Sequence, residues 1–312
     1  MRVVFCGSGD FACPSLRALL SGPHEIVSII TQPSRPAGRG GKLCQTALAQ
    51  LADELGLSVD ECESVNSDKW LARLEELAAD VMVVVDFGQL ISLRVRQTMT
   101  LGAINLHGSL LPELRGAAPV NWAVIRGYKR TGVTTFSLVD RIDAGPIYAA
   151  EATDIEPNET ALQLRERLAD MGANLLCHTV DMLADGSATA TEQDESKATH
   201  APRMRKADGL LDLAADATTV RDLIHGTWPW PGGQSVCRRK GQSDVPVVIA
   251  RAAVREGMSE PIGSLDADLM IATGKGRLEI IDIRPSGKRL MGWRDFVNGY
   301  RIKQGDRFVR PV

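Results

Sequence analysis

The stretch Ala103-Ile-Asn-Leu-His-Gly-Ser-Leu-Leu-Pro-Glu-Leu-Arg-Gly-Ala-Ala-Pro119 starts as a strand and runs into polar and small residues that a plain buried strand does not need. Successive side chains of a strand point to opposite faces, so Asn105 and His107 share one face while Ile104 and Leu106 share the other. A third polar group, Asp143, follows in Asp140-Arg-Ile-Asp-Ala-Gly-Pro146. Each has an ordinary explanation by itself: a His among apolar residues is commonly a hydrogen-bonded core group, and an Asp before Ala-Gly-Pro commonly forms a turn. Together with the Ser109-Leu-Leu-Pro112 loop and the small residues Gly116-Ala-Ala-Pro119, they read as one constellation with chemistry to perform.

Outward from this stretch, apolar β-rich runs at 3–6, 26–30, 81–85 and 103–106 alternate with helical patterns at 14–20, 46–55 and 69–78. Such alternation predicts an α/β fold with a doubly wound, mostly parallel, Rossmann-like sheet. Residues 131–139 and 147–152 read as two further strands, and 159–183 as a long closing helix. The segment 187–200 is polar and lacks apolar periodicity, which is linker composition. Beyond it, 210–224 reads as helix, and 245–254 and 269–283 as strands, with Thr273-Gly-Lys-Gly276 as a hairpin turn. The expected organisation is a domain at 1–186, a linker at 187–204 and a second, smaller β-barrel domain at 205–312.

Composition narrows the function classes. Of the 312 residues 44% are hydrophobic and 24% charged, and no apolar run approaches a membrane span. The chain opens on Met-Arg-Val-Val-Phe-Cys-Gly, a strand rather than a targeting segment, so a cytoplasmic protein is expected. Cysteines at 6, 13, 44, 62, 177 and 237 show no zinc-binding spacing, so no metal is expected and the thiols read as reduced and structural. The net charge of −3 hides an asymmetry: residues 1–200 carry 17 Lys and Arg against 26 Asp and Glu, whereas residues 201–312 carry 19 against 13. A basic second domain suits a phosphate-rich partner, although a solvated basic face has the same composition.

The pattern resembles the folate-dependent formyltransferases, whose signature is an Asn-x-His pair running into Ser-Leu-Leu-Pro with an Asp some thirty-five residues later; here these are Asn105, His107, Ser109 to Pro112 and Asp143. The resemblance also covers the first strand, Thr31-Gln-Pro-Ser-Arg-Pro-Ala-Gly-Arg-Gly-Gly-Lys42, and a second domain with Asp208-Gly209 and Trp228-Pro-Trp-Pro231. That whole layout is similar to the branch acting on methionyl-tRNA. The resemblance implies formyl transfer from 10-formyltetrahydrofolate to the methionine amino group of initiator Met-tRNA, a step of translation initiation. It implies an OB-like barrel for the second domain and tetrahydrofolate binding by Ser109, Leu110, Leu111 and Pro112. It also implies contact of the loop at 32–42 with the tRNA acceptor end, Arg39 foremost. A monomer is expected.

The residues suit that chemistry. A free α-amine, with a pKa of about 7.7 to 8.0, supplies its own nucleophile, so no activated Ser or Cys is required. The tetrahedral intermediate carries an oxyanion that Asn105 and His107 can hold, and Asp143 can orient His107 and assist proton movement. Ligands of open parallel sheets collect beyond the carboxyl ends of the strands, which adds Asp86, Phe87, Gly88 and Leu90 to the expected donor pocket. Asp86 departs from the family pattern, which has a small residue there, and Leu90-Ile-Ser92 replaces the usual Ile-Leu-Pro. The loop at 32–42 is cationic through Arg35, Arg39 and Lys42 and reads as neither helix nor strand; Arg205 and Lys206 open the basic second domain.

Three rival readings compete with this one. Gly7-Ser-Gly9-Asp-Phe-Ala12 fits the G-x-G-x-x-A pattern of an NAD-dependent oxidoreductase, but Thr31-Gln32-Pro33 stands where a ribose-binding acid belongs. A formyltransferase acting on an amino-sugar nucleotide shares the first domain, and the cationic loop and basic second domain argue for tRNA instead. A non-catalytic RNA-binding protein would have no use for all three polar positions.

Overall fold

The computed structural model describes residues 1–37, 41–257 and 261–311, and the chain divides into two units. The first comprises Met1–Gly116, Thr131–Thr153 and Arg165–His200; the second comprises Ala117–Arg130, Asp154–Leu164 and Ala201–Val312. In chain order the elements are β1 (Arg2–Gly7), α1 (Cys13–Leu20), β2 (Glu25–Thr31), β3 (Arg35–Ala37), β4 (Lys42–Cys44), α2 (Ala47–Glu54), β5 (Asp60–Glu61) and α3 (Asp68–Leu77). Then come β6 (Val81–Val85), α4 (Leu93–Arg96), β7 (Ala103–His107), α5 (Pro119–Ile125), β8 (Arg130–Ser137), β9 (Ile147–Asp154) and α6 (Ala161–Asp185). The second unit continues with α7 (Ala217–Thr227), β10 (Gly233–Arg238), β11 (Val245–Arg255), β12 (Ile271–Ala272), β13 (Arg277–Pro285), β14 (Met291–Gly292), α8 (Trp293–Tyr300) and β15 (Arg307–Val309).

The order of the large sheet is β5-β2-β1-β6-β7-β8-β9. Its strands from β5 to β7 run parallel, and β8 runs antiparallel to β7. All five residues of β6 are buried, as in a strand whose sheet is covered on both faces. One covering layer joins Val4, Met82 and Val84 to Leu74 of α3 and Val95 of α4. On the other face Leu106 of β7 meets α6 at Gly172, where a Cβ would lie 2.7 Å from a Leu106 methyl. The helices begin where capping side chains stand: Thr46 accepts from the Ala49 amide and Ser67 from the Trp70 amide.

The second unit closes a strongly bent antiparallel sheet, β12-β13-β11-β10-β15, around one core with stacked Trp293, Phe296 and Tyr300. This is the small barrel that the sequence calls for, with Thr273–Gly276 turning β12 into β13. α5 packs on α7 in this unit: Asn121 donates to the Gly226 carbonyl at 2.7 Å, and a Cβ on Gly226 would meet the Ile125 backbone nitrogen at 2.8 Å.

Two expectations change. The helix predicted from 210 starts only at Ala217, because Asp216 caps it by accepting from the Thr219 amide; Leu211 and Leu213 reach the core from the non-helical stretch before it instead. The loop at 32–42, read as neither helix nor strand, contains a short ribbon in which Arg35 pairs with Cys44 and Pro36 with Leu43. Pro36 is tolerated because both strands of a two-stranded ribbon are edges.

His225 on α7 is fully buried, and its Nε2 accepts from the Ala252 amide at 3.2 Å. Burial, aided by Arg221 and Arg251, pushes its pKa down to about 4. Unfolding restores a value of about 6.5, so the unfolded chain takes up the proton first. The favourable effect of a neutral His225 is therefore complete above pH 6.5 and lost as the pH falls towards 4. Urea unfolding at pH 7, 6 and 5 is expected to show stability falling by up to about 1.4 kcal/mol per pH unit more steeply than in His225→Gln. Equal slopes contradict this.

Candidate active site

β7 lies between β6 and β8, with Val84 and Phe136 opposite Asn105 and Thr134 opposite His107. Since Leu106 faces α6, Asn105 and His107 point to the opposite face. His107 is 6% exposed; Asn105 is half-buried and its side chain makes no hydrogen bond to any described residue. The chain leaving His107 folds back, and Leu114 returns its carbonyl to within 2.9 Å of His107 Nε2. A carbonyl only accepts, so Nε2 carries a hydrogen and Nδ1 is the ring atom left for chemistry.

Nδ1 faces Asp143, whose Oδ2 is 3.8 Å away. That is beyond direct hydrogen-bond reach and leaves a gap that one intervening polar atom can bridge. The carboxylate is fixed from elsewhere: the Gly116 amide donates to the same Oδ2 at 2.7 Å. Leu114 rather than Asp143 therefore sets the orientation of the imidazole. The approach also differs from a site lying wholly beyond the strand ends. β8 runs antiparallel to β7, so its end, Ser137, sits beside Ile104, and the loop that follows climbs back along the sheet face to bring Asp143 to His107. Asp143 itself has φ of +52°, a left-handed conformation that Asp tolerates better than most residues.

Further polar residues at this site were not singled out in the sequence. Arg115 is 4% exposed and donates to Gln193 at 2.7 Å and 3.0 Å and to Glu195 at 2.9 Å and 3.1 Å. Hydrogen bonds from Arg115 and Arg141 hold the Glu195 carboxyl down at about 2. Buried Arg96 of α4 donates to the Ile91 carbonyl at 2.9 Å and to Asp140 at 2.5 Å. The available signal was an arginine inside a motif otherwise fit for burial, which requires acceptors, and Gln193-Asp-Glu195 is a run able to supply them.

The other expected residues separate into surface and interior. Leu110 and Pro112 are half-buried, whereas Leu111 is buried and the buried Ser109 donates to the Glu113 carbonyl at 2.6 Å. After β6, Phe87 is sealed in the core while Leu90 is 69% exposed; Gly88, with φ of +75°, packs against the Gln32 amide. Ile142, beside Asp143, is 60% exposed. Arg35 is exposed, Lys42 opens β4, and Arg39 lies outside the described residues. Arg205 and Lys206 are exposed at the start of the second unit.

Residues 1–180 match the family described as formyl transferase, and residues 203–301 match the formyl transferase C-terminal domain. A methionyl-tRNA formyltransferase of Desulfotalea psychrophila is 38% identical over 305 residues, covering 97% of this chain and 94% of the relative. One of Solibacter usitatus is 36% identical over 312 residues, covering 98% of each. This chain belongs to the methionyl-tRNA formyltransferase family.

Family membership agrees with the fold of a solved structure, HypX of Aquifex aeolicus in complex with tetrahydrofolic acid, at a TM-score of 0.64 and 16% identity. That match covers 96% of this chain, which spans about half the length of HypX (47%). Among the described residues no group of three or more His, Cys, Asp or Glu is placed to hold a metal, and no helix is long and apolar enough to cross a membrane.

The departure from the family pattern at Asp86 has a structural counterpart. Asp86 has φ of +46°, and its carboxylate reaches Arg165 of α6 at 2.5 Å. Arg165 also bonds Asp10 at 3.0 Å and lies over the Phe11 ring. Burial pushes the Asp86 carboxyl above its usual range against the pull of Arg165. A Cβ built on Gly9 would fall 1.7 Å from Asp86 Oδ2, so Gly9 is needed for the carboxylate, and the Gly7-Ser-Gly9 turn is accounted for without a dinucleotide. Gly9→Ala is therefore expected to cost about 1–3 kcal/mol in the native chain and far less in Asp86→Ala, where the nearest remaining atom is 3.4 Å away on Arg165. Equal costs in denaturant unfolding would exclude this packing.

Proposed function

We propose that this chain transfers the formyl group of 10-formyltetrahydrofolate to the α-amino group of methionine on initiator tRNA, with Asn105, His107 and Asp143 as its catalytic residues. The observation that carries the reading is the placement of Nδ1 of His107 against the Asp143 carboxylate, on the same sheet face as an Asn105 amide that bonds no described protein group. Full-length similarity to methionyl-tRNA formyltransferases supports the choice of acceptor.

The chemistry follows from the atoms. The neutral amine attacks the formyl carbon and the C–N bond forms; the carbonyl electrons move to oxygen, where the Asn105 amide donates to the oxyanion, and Nδ1 of His107 donates only once it has taken up the proton of the amine. Nδ1 and Asp143 Oδ2 stand on either side of the proton that the amine must lose. Collapse of the intermediate breaks the bond to N10 of the folate, and the proton leaves with that nitrogen. The donor fits the surface on offer: Leu90 and Ile142 expose apolar side chains on the loops that follow β6 and β8, the neighbours of β7. Ser109 to Pro112 would hold the tetrahydrofolate through backbone groups and the partly exposed Leu110 and Pro112, with Asp86, Phe87 and Gly88 contributing backbone and Leu90 its side chain.

Arg35, Arg39, Lys42, Arg205 and Lys206 would meet the tRNA backbone, supplying affinity rather than base identity. All three catalytic groups come from one unit of one chain, so a single copy suffices and a monomer is proposed. A tRNA acceptor suits a protein of the cytoplasm.

The test offers charged initiator tRNA, charged elongator tRNA and an amino-sugar nucleotide in turn with 10-formyltetrahydrofolate. Formylation of the first is expected; turnover of the sugar nucleotide alone would overturn the acceptor. Alanine at Asn105, His107 or Asp143 is expected to lower kcat by roughly 100-fold or more, with circular dichroism unchanged. A folded variant with native turnover removes that residue from the mechanism. Arg39→Ala is expected to slow transfer to Met-tRNA more than to a minimal methionine ester, and equal slowing would place Arg39 elsewhere.

A further inference from the structure

We infer that Gln193, clamped by the buried Arg115, is a positioning residue that sets Asp143 against His107, so that the polar segment after α6 belongs to the active site. The inference rests on the catalytic reading of Asp143 given above.

The amide of Gln193 has one orientation available to it. Its oxygen accepts from Nε and from a terminal nitrogen of Arg115, at 3.0 Å and 2.7 Å. Its nitrogen donates to the Asp143 carbonyl at 2.9 Å and to the Gly145 carbonyl at 2.7 Å. Turning the amide over would set its NH2 against a guanidinium and its oxygen against two carbonyls, exchanging four hydrogen bonds for four repulsions. Arg115 is itself fixed by Glu195, which occupies the other edge of the guanidinium fork.

These bonds close a ring around the reacting groups. Leu114 holds His107 through its carbonyl, Arg115 holds Gln193 through its side chain, and Gly116 holds the Asp143 carboxylate through its amide. Gln193 completes the circuit by gripping the backbone of Asp143 from the far side. The same segment supports residues 114 and 115 directly, since the Thr199 hydroxyl accepts from the Leu114 amide at 2.8 Å and its carbonyl from the Arg115 amide at 2.9 Å. A left-handed Asp143 at the tip of an exposed loop would otherwise be free to relax, and the gap of 3.8 Å to Nδ1 would widen or close.

Gln193→Glu keeps the shape and the Arg115 contact but sets a carboxylate oxygen against the two carbonyls; Gln193→Met keeps the length and removes the polar atoms, and serves if the first fails to fold. Either is expected to lower kcat by up to about 100-fold, the scale of an ångström-sized misplacement, with both KM values within about twofold of the native enzyme. The decisive readout is a double-mutant cycle under single-turnover conditions. In an Asp143→Asn background the Gln193 loss is expected to shrink to below about twofold, because the group it positions has already been disabled. A loss of the same factor in both backgrounds, or folded Gln193 variants at native kcat beside an impaired Asp143→Asn, overturns the inference alone. Asp143→Asn at native rate overturns the reading beneath it and this inference together.

Discussion

The backbone of residues 114–116 is the constraint on which the site depends. One carbonyl and one amide, two residues apart, hold the imidazole of His107 and the carboxylate of Asp143. Backbone groups are rigid partners whose positions follow from the path of the chain, so the separation of the two side chains is set by the turn rather than by the side chains themselves. The path of that turn is fixed in its own right: Ser109 bonds Glu113 within it, Thr134 of β8 accepts from the Leu111 amide at 3.1 Å, and Thr199 receives the amides of 114 and 115. A site built in this way is preorganised, and the side chains proposed as catalytic need not reorganise when charge develops beside them.

The sheet beneath supplies the second requirement, a floor that does not move. β6 and β7 are central, flanked on both sides, and covered by helices on each face. Asn105 and His107 project from that floor, whereas the loop carrying Asp143 arrives over it, tied down by Arg96 at Asp140, by Gly116 at the carboxylate and by Gln193 at the backbone. The rigid element thus carries two of the groups and the tethered loop the third. At the neighbouring strand end, Asp86, Arg165 and Asp10 link the loops after β1 and β6 to α6 through charge. A salt link of this kind at a partly exposed position contributes geometry more than stability.

Much of this was legible in the sequence, for reasons that vary by element. The runs at 3–6, 81–85 and 103–106 announced buried parallel strands because short apolar runs of strand length alternate there with helical patterns, and the alternation in Asn105-Leu-His107 gave the shared face directly. Three things were hidden. The antiparallel course of β8 cannot be read from composition, so the direction from which Asp143 reaches His107 was not apparent. The segment 193–199 is polar because it bonds a buried arginine and a backbone turn, yet polarity without periodicity is also the mark of a tether. And the side chains of Phe87 and Leu111 turn into the core and leave only backbone for a donor, since which residues of a loop face outwards depends on its tertiary path.

The most direct test of the central claim is the protonation pattern of His107. With 15N-labelled histidine and a His107→Gln variant to assign the resonances, the free protein at alkaline pH is expected to show Nε2 bearing the hydrogen and Nδ1 bare, because the Leu114 carbonyl accepts from Nε2. The opposite tautomer, with the hydrogen on Nδ1 and donated towards Asp143, would mean that the turn at 114–116 does not hold the imidazole, and the account built on it would fail.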